Sequence, residues 1–89
     1  MDIQAIQIEM ISVCSFEGKL RPLRFRFEDE EKCLQTISVT QVIDRREITY
    51  VGVEYFLFIC KGTMQERERL FELRYAVRSH RWELFRMLY

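Results

Sequence analysis

Apolar and polar residues alternate along most of this chain. Ile6, Ile8 and Met10 take turns with Gln7 and Glu9, and Leu23, Phe25 and Phe27 with Arg24, Arg26 and Glu28. Successive side chains of a β-strand point to opposite faces, so each run predicts a strand with one greasy and one wet face. Beyond Met10 the phase shifts to Ile11 and Val13, which predicts a bulge or a change of face. Pro22 stands at the entrance of the second strand, where a missing N–H costs least. Phe16-Glu17-Gly18-Lys19 reads as a turn around Gly18, and the charged run from Glu28 to Lys32 as a solvated hairpin tip.

The next strand is rich in β-branched residues, from Thr36 and Ile37 to Val42 and Ile43. Asp44-Arg45-Arg46-Glu47 is expected to break it, and Ile48 to Val53 to resume the extended pattern, with Gly52 as a bulge or bend. Tyr55 to Cys60 is apolar on both faces, as in a strand covered on both sides or running through a barrel. Lys61-Gly62-Thr63 reads as the turn that follows.

Residues 64–88 admit two readings. As strands, Phe71, Leu73, Tyr75 and Val77 alternate with Glu72, Arg74 and Ala76, and Ser79-His80-Arg81 turns into a last strand. As a helix, Thr63 and Glu66 form a capping box, and Leu70, Leu73, Val77, Leu84 and Leu88 share a stripe. The helix strands Phe71, Tyr75 and Trp82 on a second face, so the strand reading is preferred. The expected strands are 4–14, 22–28, 34–43, 48–60, 70–77 and 82–88. Residues 1–89 then form one all-β domain, an antiparallel bent sheet or partly open small barrel of five to six strands. The alternative is α+β with a C-terminal helix over 64–88.

Composition narrows the function. Eighty-nine residues suffice for one core, and 48% are hydrophobic, above the range of disordered chains. Fourteen basic and fourteen acidic residues balance, which weighs against a binder of polyanions by bulk charge. Eleven of the basic residues are arginine, the side chain of bidentate and stacking contacts. Cross-strand Arg–Glu pairs are the simplest use for them. Cys14, Cys33 and Cys60 are odd in number and widely spaced, and His80 is the only histidine. They are read as reduced, mostly buried thiols, with no metal site, no disulfide and a cytoplasmic setting. No apolar run is long enough for a bilayer-spanning helix, so no membrane partner is expected.

Gly18, Gly52 and Gly62 are isolated and build no phosphate loop, so no cofactor is expected. His80 falls in an expected turn, and the carboxylate pairs Glu28/Glu30 and Asp44/Glu47 occupy polar settings. Neither supports catalysis, and no enzyme is expected. What rises above background is arginine interleaved with aromatics. Arg24, Arg26, Arg45, Arg46, Arg74 and Arg86 are the candidate binding residues.

A spaced set of short signatures runs through residues 20–88. It comprises Pro22-x-x-Phe25, Val39-x-x-Val42, Arg46-Glu47, Tyr55-Phe56-x-Phe58, Phe71-Glu72-Leu73-x-Tyr75 and Trp82-x-Leu84-x-Arg86. It is similar to small bacterial β-rich domains that are known by number and have no assigned activity. Those domains place an aromatic before the Arg-Glu pair, where this chain has Arg45. The resemblance implies a β fold and brings no catalytic residue.

The expected function is a non-catalytic module that binds another protein, through an edge strand or the arginine and aromatic surface. The alternative is a small β-barrel that binds nucleic acid with the six arginines. One contiguous positive face would favour nucleic acid, and interleaved signs a protein.

Overall fold

The computed structural model describes residues 5–88, which form six strands and no helix. They are β1 (Ile6–Cys14), β2 (Leu20–Glu28), β3 (Leu34–Tyr50), β4 (Val53–Met64), β5 (Arg67–Ala76) and β6 (Arg81–Met87). Gln4, expected to open the first strand, lies outside the described residues. Each strand pairs antiparallel with the next, and β6 returns to β1 through Ile6–Leu84, Gln7–Glu83 and Ile8–Trp82. The sheet therefore closes into a barrel, a step beyond the bent or partly open form expected from sequence. Strands occupy the C-terminal segment, and the helical alternative is overturned.

Alternation fills the barrel. Phe25, Phe27, Ile37, Phe58, Cys60, Phe71, Leu73, Trp82 and Leu84 are buried together. Ile6, Ile8, Met10, Val42, Phe56 and Tyr75 are among the partly buried residues packed on them. Of the two phenylalanines that a doubly apolar β4 places in the core, Phe58 is fully buried and Phe56 stands half-buried at its margin. Phe71, Tyr75 and Trp82 do share the inner face, as the strand reading requires.

Gly62 lies inside β4, not in the expected turn. A Cβ there would stand 2.5 Å from the Ser38 carbonyl oxygen and 2.9 Å from Phe71 Cε1, so only glycine lets these strands close. The chain turns later, at Gln65 and Glu66, both at positive φ.

The phase shift expected after Met10 is real, but the extra residue belongs to β2. Ile11 pairs with Arg24 and Ser12 with Pro22, which skips Leu23. Leu23 is pushed outward, so Pro22 is buried where the simple alternation put Leu23.

The charged run from Asp44 to Glu47 does not break β3. The strand continues to Tyr50, absorbing extra residues at Thr40 and Ile43. Val51 and Gly52 then turn the chain at φ of 49° and 76°. Positive φ at both central residues suits the twist of a two-residue hairpin, but a β-branched valine adopts it at a cost.

Candidate functional site

The distinctive feature is an open edge on a closed barrel. β2 and β3 pair only from Glu28–Leu34 to Arg24–Ser38. Beyond Arg24 come the bulged Leu23 and then Pro22, which has no N–H to extend the ladder. β3 nevertheless runs on for twelve residues, from Val39 to Tyr50, held on one side by β4. Its other edge has no strand partner among the described residues. The bulges at Thr40 and Ile43 distort the first part of this edge. From Asp44–Ile59 to Tyr50–Val53 the ladder is regular, leaving an unbulged run for pairing.

The register of that run sends Arg45 and Glu47 to the inner side. Arg45 pairs with Phe58 and Glu47 with Phe56, both on the face of β4 that lines the barrel. The Arg45 guanidinium carbon stands 5.0 Å from the centre of the Phe56 ring and 5.7 Å from that of Phe58. Aromatic contact continues behind them: Phe58 to Trp82 at 5.3 Å, Trp82 to Tyr75 at 5.0 Å, and Tyr75 to Phe56 at 6.0 Å. Arg45 Nε is buried, and no acceptor lies within hydrogen-bonding reach. The ring faces attract the cation, but they give that N–H no partner.

The other candidate arginines are scattered. Arg46 points outward and bonds Asp44 at 2.8 Å. Arg24 and Arg26 lie on the outer face of β2, where Arg26 bonds Glu9 across the ladder at 2.9 Å. They border an open depression of about 360 Å³ with Ile11 and Thr36. Arg74 and Arg86 lie elsewhere on the outer surface, both bonded to Glu72, at 2.8 and 2.9 Å. Arg74 also covers the Phe85 ring at 3.5 Å. Glu72 is only 1% exposed, so two arginines, one of them exposed, close over a buried carboxylate in place of the solvated pair expected from alternation. The six arginines thus fall in separate places, with an acidic side chain close to each group.

The expectation of mostly buried thiols holds for Cys60 alone, since Cys14 and Cys33 are exposed. Burial pushes the Cys60 thiol up to about 12. His80 is exposed in the β5–β6 turn, its Nδ1 2.8 Å from the Tyr75 hydroxyl. Among the described residues, no three His, Cys, Asp or Glu side chains converge on a metal position. Nor is any helix there long and apolar enough to cross a membrane.

Sequence reasoning expected an edge strand but did not place it on β3, because Asp44 to Glu47 were expected to break that strand. It also missed the apolar residues beside it. Tyr50, Val51 and Val53 are exposed at the end of the β3–β4 hairpin, and Ile43 at the bulge where the regular run begins. The signal available was the lack of any glycine or proline between Leu34 and Val51, which argues for one uninterrupted strand.

No protein-family model matches this chain, and neither a curated protein nor a solved structure matches it.

Proposed function

We propose that this domain is a non-catalytic protein-interaction module that binds an extended segment along the open edge of β3. The observation that carries this is the regular run from Asp44 to Tyr50, whose edge away from β4 has no strand partner among the described residues. Such an edge offers main-chain donors and acceptors to an incoming strand, and neighbouring side chains select its sequence. Barrels ordinarily abolish edges, and exposed edges are commonly guarded by charge and bulges. The charges are present here, but they end at Glu47. Tyr50 and Val51 follow, 64% and 85% exposed, and a purely defensive edge would be polar there. Val51 also holds a positive φ of 49° that asparagine or glycine would adopt with less strain. An exposed apolar residue kept in a strained turn fits a contact role.

The nucleic-acid reading is the weaker. The arginines are divided, and four of them are ion-paired with Glu9, Asp44 or Glu72. A reducing compartment such as the cytoplasm suits the exposed thiols of Cys14 and Cys33.

The test is to select extended peptides from a display library and map their binding by amide chemical shifts, alongside oligonucleotide titrations at two salt concentrations. Shifts concentrated on residues 44–50 support the proposal. Salt-dependent oligonucleotide binding that is lost when Arg24 and Arg26 are both replaced by alanine would overturn it.

A further inference from the structure

We propose that the strand added to this edge is the same edge of a second copy, in a two-fold antiparallel pairing centred on Arg46. The inference rests on the edge reading above and names its partner. A two-fold axis through one residue of a strand places the residues on either side of it opposite each other, inner side against inner side. Few centres are available, because the bulge at Ile43 and the turn at Val51 limit the regular edge to Asp44 through Tyr50.

Charge on the inner side then selects among the three centres from Arg45 to Glu47. An axis at Arg45 would set the two Arg45 side chains against each other beside the aromatic lining. An axis at Glu47 would oppose the two Glu47 carboxylates. An axis at Arg46 sets Arg45 opposite the partner's Glu47, and by symmetry does so twice. Directly opposed side chains have Cβ atoms roughly 5 Å apart, within reach of an arginine and a glutamate. Arg45 needs such a partner: its Nε is buried without an acceptor, and its guanidinium is held by ring faces alone. Glu47 is exposed and on the same side of β3. The Arg45-x-Glu47 pair is therefore self-complementary across the axis.

The same register brings the two Arg46 side chains together on the outer face. Each is already bonded to its own Asp44 at 2.8 Å and largely in water, so their repulsion is screened. The regular pairing then runs from Asp44, opposite the partner's Ile48, to Ile48, and the exposed Tyr50 lies just beyond it toward the partner's bulge.

Sedimentation equilibrium of the whole domain tests this with two charge reversals, Arg45→Glu and Glu47→Arg. The unmodified domain self-associates. Each variant alone opposes like charges across the axis and dimerises at least about tenfold more weakly. An equimolar mixture of the two associates like the unmodified domain, since the acidic pair of one faces the basic pair of the other. This rescue in trans cannot come from a folding defect. The proposal is overturned if the unmodified domain stays monomeric up to about 1 mM, a contact worth under about 4 kcal/mol. It is equally overturned if either variant self-associates like the unmodified domain, or if the mixture fails to associate. Peptide mapping separates the two levels. A monomer whose residues 44–50 still respond to peptide loses only the second-copy assignment, and a monomer that responds nowhere along β3 loses the edge reading too.

Discussion

Arg45 lies opposite Phe58 in the β3–β4 ladder, with its guanidinium carbon 5.7 Å from the ring centre and its Nε buried without an acceptor. Two opposing terms follow. An unsatisfied buried donor costs about 1–3 kcal/mol, and each ring contact returns about 0.5–1 kcal/mol at a site that is partly open. Methionine keeps the apolar packing and removes the donor. Arg45→Met is therefore expected to leave urea-unfolding stability unchanged or raised by up to about 1 kcal/mol, at protein concentrations where the domain is monomeric. A loss above about 1 kcal/mol would show that the charge holds the barrel margin together.

Phe58 is fully enclosed and meets Trp82 at 5.3 Å, so its removal leaves a cavity that the closed sheet cannot collapse. Phe58→Ala is expected to cost roughly 3–5 kcal/mol in equilibrium unfolding. A loss below about 1 kcal/mol would place the ring outside the core.

Val51 has φ of 49° and is 85% exposed, so its side chain loses nothing by replacement and its backbone gains. Val51→Asn, which creates an Asn-Gly turn before the existing Gly52, is expected to add about 1 kcal/mol to stability. The same change should weaken binding at the hairpin end. Greater stability with unaltered binding would leave Val51 without a role in contact.

The cysteines should separate by reactivity. Attack on an alkylating agent needs the thiolate, and burial holds the Cys60 thiol near a pKa of about 12. Treatment of the folded domain with iodoacetamide at about pH 8 should label Cys14 and Cys33 and leave Cys60 intact until denaturant is added. Rapid labelling of Cys60 under native conditions, read by peptide mass spectrometry, would contradict the enclosed core.

The class of fold was legible because alternation is a local property. Phe25 and Phe27 opposite Arg24 and Arg26, and Phe71, Leu73 and Tyr75 opposite Glu72 and Arg74, each declare a face without reference to the rest of the chain. Closure was not legible. It depends on Ile6 and Ile8 meeting Leu84 and Trp82 across nearly the whole chain length, and no local pattern specifies that register. The turns were misjudged where special chemistry was absent. Gln65 and Glu66 take positive φ without an asparagine or glycine to announce it, and Gly62, which resembles a turn residue, serves a close approach of strands. The candidate site was hidden for the same reason. The candidate arginines were all named, and because the two one-residue bulges in β3 cancel, Arg45 keeps the inner phase of Val39; what alternation could not show is that the strand runs on past Asp44 with a free edge.

The proposed role of the β3 edge is contact with protein. It is tested most directly by photo-crosslinking in cells, with a benzophenone amino acid placed at Tyr50 beside that edge. Leu34, equally exposed at the far end of the same strand, is the control position. Covalent protein adducts, the domain itself among them, are expected from position 50 and none from position 34. Adducts to nucleic acid, or equal yields from both positions, would contradict that role.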